Sequence, residues 1–467
     1  LSRPRIAVVG GGLAGMAAAW ALADRAADVT VLESRRSLGG RAGSFADPRT
    51  TRDVDYCQHV AMGCCTNFLW WMRQTELLQH FRRETRLTFL APGAPPSTFA
   101  ATPWLPAPLH RTTALDQLRF LSRGRRAEVR RALWRLMRTP PHSTPGTMGD
   151  WLRQQGQSDE AIERFWDVIL VSALGEVARH AAFAPARMVL IEGFVAAPRA
   201  SDVWIPQRPL ADLFGVRLAG NLQQRGVLLR TGVPVRSIQQ SGAGGFQIHT
   251  PGDSAAFDRV VLATAWFALP RLLGGTPLQH AVDNLPALGK LPAAAISGLH
   301  LWFDRPLSEL RHCVLLDGLA QWLFRPDFGS VQAAEAFEHY HQVVVSGSHS
   351  LRGMPDEQIL ATVLEELKRH FPAARQARLL RHRLVNDPRA VFSIRPEVEA
   401  LRPPTETGVE GLVLAGDYTQ TGWPATMEGA VLSGFRAADV VARSLAFQPV
   451  PIQSPLRRGR LARWLIE

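Results

Sequence analysis

The sequence predicts an α/β fold in which one parallel sheet, assembled from three separated stretches of chain, is interleaved with a second domain of α+β character. Three observations carry this expectation. A buried strand turns through a glycine-rich segment into an Ala-rich helix within residues 5–22. Short apolar strands cluster between 227 and 264. An apolar strand ending in an acid precedes a helix between 411 and 441. At about 150 residues per domain, the 467-residue chain makes two or three domains. Its 46% hydrophobic and 20% charged residues exclude a disordered, collagenous or disulfide-scaffold protein.

The first element is the strand Arg5–Val9, and the helix is expected over 16–22. Residues 6–23 carry no charge and follow Arg3 and Arg5, which resembles a signal peptide or a membrane span. Gly10, Gly11, Gly12 and Gly15 argue against both, because a strand turning sharply into a helix needs them and a spanning helix does not. Gly10-x-Gly12-x-x-Gly15 is the dinucleotide fingerprint. Its first glycine permits the turn and its second admits a pyrophosphate. The third lets helix and strand pack, and the helix start at Leu13 and Ala14 offers free N–H groups. A second strand over 28–32 ends at Glu33, where an acid accepts ribose hydroxyls, with Ser34 beside it.

Glu33 is followed at short distance by Gly39, Gly40 and Arg41, a pair of glycines that admits a ligand and an arginine able to fork onto its pyrophosphate. At this spacing the chain resembles the flavin amine oxidase and phytoene desaturase superfamily. The resemblance implies a Rossmann-type FAD-binding domain interleaved with a substrate domain, non-covalent FAD as cofactor, and Arg41 as its pyrophosphate-binding arginine.

A helix is expected over 210–224, then strands at 227–229, 231–238, 246–249 and 259–264. In the resembling family the backbone at the position of Val235 meets the adenine, and the strand end at Ala263 and Thr264 lies near the cofactor. The strand 411–416 ends at Gly416 and Asp417, and the helix that follows begins after Thr426 at Met427. By the same resemblance Asp417 accepts a ribityl hydroxyl, and the helix N-terminus directs its dipole at the flavin pyrimidine.

The expected segments are therefore 1–59, 205–269 and 405–446 for the FAD-binding domain, 60–204 and 270–404 for the substrate domain, and a basic tail, 447–467. The first insertion is expected to be mostly helical, with helices near 118–138 and 161–174. In the second, strands are expected at 293–303, 313–324 and 342–346, and a helix at 357–371. Three strings narrow the resemblance further: DYCQHVAMGC from Asp55, IPQRPL from Ile205, and GDYTQTGWPATMEGA from Gly416. Together they resemble the squalene-associated branch, the hydroxysqualene dehydroxylases. One departure is Cys57, where that branch usually has glycine, which narrows the site beside the flavin.

The implied reaction removes an allylic hydroxyl from a C30 isoprenoid alcohol, giving squalene for squalene and hopanoid biosynthesis, with hydride from reduced flavin N5. The hydroxyl leaves as water, so a proton donor is needed. His59 is the candidate, with Asp55 and Glu428 behind it, and Glu428 is the more natural brace of a helix N-terminus. Trp166, Phe194, Trp204, Trp302, Trp322 and Trp423 are candidates for an apolar tunnel. Two alternatives share every FAD motif: a carotenoid or diapophytoene-type desaturase, which runs the flavin oxidatively, and a flavin amine oxidase. No second dinucleotide motif serves a nicotinamide, so electrons come from a partner reductase or from free nicotinamide.

The formal charge is +12, and all but two of the 53 basic residues are arginines. No nucleic-acid recognition module accompanies them, so nucleic acid is not an expected partner. Arginines at 123–138 and 457–463 alternate with Leu and Trp, as in segments that lie on an anionic membrane surface. Cys57, Cys64, Cys65 and Cys313 form neither a metal cluster nor a disulfide framework, so no metal is expected. The expected location is the cytoplasm, peripheral on the inner face of the membrane.

Overall fold

A computed structural model describes residues 3–467 except 50, 51, 243, 330 and 333–336. Five parallel strands form the first sheet in the spatial order Leu228–Thr231, Asp28–Glu33, Arg5–Val9, Arg259–Leu262, Leu412–Leu414. Its central strand is buried on both faces, with Ile6, Ala7 and Val8 fully covered, which explains an uninterrupted apolar run rather than an alternating one. Helix Leu13–Ala23 packs on this sheet and against helix Met427–Ser444. The two helices approach so closely that a Cβ on Gly434 would stand 2.2 Å from the Ala14 carbonyl oxygen. Small residues at 14, 17 and 434 permit that contact, so the Ala-rich composition of the first helix is a packing requirement. The mixed α/β architecture expected from the sequence is the one observed.

Between the third and fourth strands in chain order lies an antiparallel meander, Ser237–Gln240, Phe246–Thr250 and Asp253–Phe257. The expected strand over 231–238 is broken. Pairing in the parallel sheet stops at Thr231, and the chain then turns back so that Gly232 N and Val233 N donate to the carbonyls of Arg35 and Glu33 (2.8 and 2.9 Å). Pro234, with no N–H to give a ladder, sits in this break.

The second sheet draws on both insertions. Its order is Leu379–Phe392, Ala293–Phe303, Phe337–Ser346, Trp322–Phe324, His312–Leu315, Arg86–Leu90, Ser97–Ala100, with Val331–Gln332 paired beside the third of these. The 14-residue strand Leu379–Phe392 was not foreseen, since it is rich in arginine and carries Pro388. The register shift between Ala294 and Ile296 absorbs that proline as a bulge, and most of the strand is only half-buried. The first insertion, mostly helical, also contributes short strands. Phe81–Glu84 pairs with Val203–Pro206, a strand that runs across the expected segment boundary at 204/205. Helices Arg123–Met137 and Asp356–His370 fall within a few residues of the expected positions.

Candidate cofactor and substrate site

Because all five strands of the first sheet are parallel, their carboxyl ends lie along one edge, where ligands bind in such sheets. Gly10 to Gly15, Glu33, Ala263, Thr264, Gly416 and Asp417 all follow strand ends, so this edge gathers residues more than 400 positions apart. Gly10 has φ +114°, and a Cβ there would stand 2.4 Å from the Ala263 carbonyl oxygen. A Cβ on Gly15 would stand 1.9 Å from the Gly10 carbonyl oxygen, so neither position accepts a side chain. Gly12 caps helix Leu13–Ala23 with no side-chain partner, leaving the N–H groups at Leu13 and Ala14 to face a ligand. Opposite it lies Gly40, whose Cβ would be 3.1 Å from the Gly12 Cα.

Glu33 is buried and fixed at three points. Its Oε2 accepts from Gly11 N (2.7 Å), while Oε1 accepts from Arg35 N (2.7 Å) and the Ser34 hydroxyl (3.1 Å). A carboxylate has further lone pairs, so this arrangement presets the acid to receive hydroxyls. Val235 is buried in the loop after the break, and its backbone N–H and carbonyl have no partner among the described residues. The Thr264 hydroxyl is likewise buried without a partner. Two unpaired polar positions beside a cradle that admits no Cβ fit a bound dinucleotide.

Arg41 and Asp417 join the two ends of the chain. Arg41 Nη2 donates to Asp417 Oδ1 (2.6 Å), Nη1 donates to the Ala390 carbonyl (2.8 Å), and the guanidinium lies 5.5 Å from the Trp266 ring centre. Gly416 N donates to the Ser433 hydroxyl (2.8 Å), which ties this turn to the helix behind it. Thr426 is the N-cap of that helix, its hydroxyl accepting from Gly429 N (3.1 Å), so the N–H groups of Met427 and Glu428 remain without an intrahelical acceptor. The sequence reading missed Arg402. It is 1% exposed and donates to the carbonyls of Asp417, Thr419 and Trp423 (3.2, 2.5 and 2.7 Å), gathering the whole 417–423 turn around one guanidinium. Nothing in its local sequence, Leu-Arg-Pro-Pro, distinguishes it from a surface arginine.

The acid–base candidates separate clearly. His59 Nδ1 is 2.8 Å from the Cys57 carbonyl oxygen and therefore carries the proton that it donates, leaving Nε2 as an acceptor. Burial, opposed by that bond, and the nearby Arg41 charge hold its pKa below the ordinary histidine range. Burial and Arg41 thus favour the neutral form of the ring. Glu428 is fully buried and accepts from Asn67 N, Asn67 Nδ2 and Phe68 N (3.1, 2.9 and 2.8 Å). It braces helix Thr66–Gln74 rather than its own helix. Burial shifts both Asp55 and Glu428 toward the protonated form. Burial pushes the pKa of Asp55 up to about 7, against the lowering effect of bonds from Leu210 N and the Ser44 hydroxyl to Oδ1 (both 2.7 Å). Its Oδ2 is buried without a partner among the described residues.

An apolar cavity of about 650 Å³ lies in the helical part of the first insertion, between Leu115, Phe165, Leu190, Phe194 and helix Arg123–Met137. Its size suits a ligand of several tens of heavy atoms. Of the six aromatic residues considered for a tunnel, Phe194 lines this cavity, whereas Trp166, Trp204, Trp302, Trp322 and Trp423 do not. Trp166 and Trp302 are core residues, the first bonded to Gln157 Oε1 (3.0 Å) and the second stacked under Arg381. Helical periodicity around Trp134 and Phe165 carries the signal for the real lining, but it is indistinguishable from ordinary core packing without the neighbouring helices.

No helix among the described residues is long and apolar enough to cross a membrane. Similarity to known proteins agrees with the geometry. The chain is 25% identical to a hydroxysqualene dehydroxylase of Sinorhizobium fredii, covering 93% of this chain and 97% of that protein. It is 24% identical to a 15-cis-phytoene desaturase of Solanum lycopersicum, covering 93% and 77%. A solved oxidoreductase from Methanosarcina mazei has the same fold, with TM-score 0.70 at 16% identity over 92% of this chain and 99% of that one. The flavin containing amine oxidoreductase family matches residues 13–442, nearly the whole length over which the cradle is assembled. The chain belongs to that family and is an FAD-dependent oxidoreductase that holds its cofactor non-covalently.

Proposed function

We propose that the protein removes the allylic hydroxyl of hydroxysqualene reductively, yielding squalene and water. The observation that carries this reading is the apolar cavity of about 650 Å³, built into the same chain as an FAD cradle, a volume larger than a small amine needs. The similarity to proteins named for hydroxysqualene and for phytoene supports an isoprenoid substrate. FAD, when bound and reduced, supplies the hydride. In the same reading, Gly10, Gly11, Gly12, Leu13, Ala14, Gly15, Gly40 and Arg41 hold the pyrophosphate, while Glu33, Ser34 and Val235 hold the adenosine. Ala263, Thr264, Gly416, Asp417, Thr426 and Met427 hold the ribityl and flavin end. His59 remains beside Arg41 as a neutral acceptor, and Asp55 is the reserve of the proton that leaves with the hydroxyl.

The reading extends to a partner surface. Helix Arg123–Met137 lines the cavity and also exposes Arg131, Trp134 and Arg135, and the C-terminal helix Arg460–Leu465 exposes Trp464 beside it. The Arg138 guanidinium stands 5.4 Å from the Trp134 ring centre and 5.9 Å from that of Trp464. Such a basic and aromatic face suits an anionic bilayer, from which a C30 lipid would be drawn. Electrons are expected from a partner reductase or from free nicotinamide.

Anaerobic incubation of the reduced holoenzyme with hydroxysqualene tests the reaction. Squalene formation with reappearance of the oxidised flavin spectrum is the expected result. Absence of squalene, together with bleaching of the oxidised holoenzyme by a polyene precursor, would establish a desaturase instead.

A further inference from the structure

The cavity wall is mostly apolar, with Thr112 and four arginines among its lining residues, and the arginines differ in kind. Arg130, Arg131 and Arg135 are exposed, whereas Arg111 is 7% exposed. Arg111 ends the short helical turn Leu109–Arg111, directly before helix Thr112–Asp116. Its guanidinium lies over Phe99, 4.9 Å from the ring centre, and Nη2 donates to the Ser201 hydroxyl. Nε has no partner among the described residues. The neighbouring acid, Asp202, is already held by Arg83, whose Nε stands 2.8 Å from Oδ2. The buried guanidinium thus has one neutral hydrogen-bond partner, an aromatic face and the charge of Asp202 nearby, and burial, opposed by Asp202, draws its pKa down to about 10.

An undercompensated charge in an apolar wall is costly unless a ligand brings an acceptor to it. Arg111 stands in the wall of the apolar cavity with its Nε free of any partner among the described residues. We propose that the cavity takes an isoprenoid bearing an oxygen function and that Arg111 donates a hydrogen bond to that oxygen. Arg111 is then a specificity-determining residue that separates an isoprenoid alcohol from the matching hydrocarbon. This rests on the reading of the cavity as an isoprenoid site.

The test uses the oxidised holoenzyme, which cannot turn the alcohol over, with hydroxysqualene and squalene as radiolabelled probes in equilibrium binding. The expected result is binding of the alcohol at least about tenfold tighter than of the hydrocarbon, the effect of one charged hydrogen bond. Arg111→Met should abolish the difference between the two lipids, and Arg111→Lys should keep part of it. Equal affinity of the wild-type protein for the two lipids overturns the role of Arg111 whether or not the variants fold. A preference that survives in Arg111→Met at normal flavin content does the same. If neither lipid binds, the isoprenoid reading of the cavity falls and this inference falls with it.

Discussion

Replacing Glu33 by Gln keeps the shape of the side chain and changes one oxygen into a donor. Oε2 faces Gly11 N at 2.7 Å and Oε1 faces Arg35 N at 2.7 Å, so either orientation of the amide sets an NH₂ group against a backbone N–H. One charge-assisted hydrogen bond is lost and the remaining contact becomes donor against donor, at a cost of about 1.5–3 kcal/mol. The same exchange removes an acceptor for the ribose hydroxyls. Because Glu33 positions Gly11 within the phosphate turn, the loss is felt in cofactor binding. Each 1.4 kcal/mol is about tenfold, so the FAD dissociation constant should rise by about 10- to 100-fold. Titrating the apoprotein with FAD and following flavin fluorescence measures this directly. A dissociation constant within about twofold of wild type would refute the assignment of Glu33 to the cofactor.

Arg402→Met removes donors from the carbonyls of Asp417, Thr419 and Trp423 in a buried setting, and should cost about 3–5 kcal/mol in urea unfolding and lower the bound flavin content; an unchanged midpoint would contradict its role as organiser of that turn. Gly15→Ala forces a Cβ to within 1.9 Å of the Gly10 carbonyl oxygen, so the turn must open, and loss of FAD on desalting is expected where wild type retains it. The folded-state pKa of Asp55 is raised to about 7, above an unfolded value near ~3.9, so its contribution to stability is complete below about pH 4 and is lost as pH rises toward about 7. Asp55→Asn should therefore flatten the pH dependence of urea unfolding by about 1.4 kcal/mol per pH unit in that window, and an unchanged slope would show that Asp55 is charged in the folded protein. Trp464→Ser with Arg131→Glu should weaken salt-sensitive pelleting with anionic vesicles by about tenfold, and equal pelleting of wild type and variant would remove the membrane face from the proposal.

Legibility in the sequence follows whether a signal is local. The phosphate turn was readable because strand, glycines and helix lie within 20 residues and each glycine has a steric reason, as the contacts of Gly10 and Gly15 with backbone oxygens demonstrate. Glu33 was readable from its distance to that turn. The strand Ala293–Phe303 was readable from an apolar run of the right length. What escaped depends on partners distant in sequence. Leu379–Phe392 is a strand because Ala293–Phe303 supplies its hydrogen bonds, although its own composition argues for a loop. Arg402 and Arg111 look like any other arginine in a chain dominated by them, and only burial separates them from the solvated ones. The surroundings of His59 also escaped, because its bond to the Cys57 carbonyl and its burial are set by the fold and not by its residue type.

The central claim is that a hydride replaces the hydroxyl of a C30 alcohol at the expense of one reduced flavin. An anaerobic single turnover in D₂O tests it most directly, since the transferable hydrogen of reduced flavin exchanges with solvent. The account predicts squalene carrying one deuterium at the carbon that bore the hydroxyl, with one flavin oxidised for each molecule formed. A product with an added double bond and a flavin that becomes reduced, or squalene without deuterium, would contradict it.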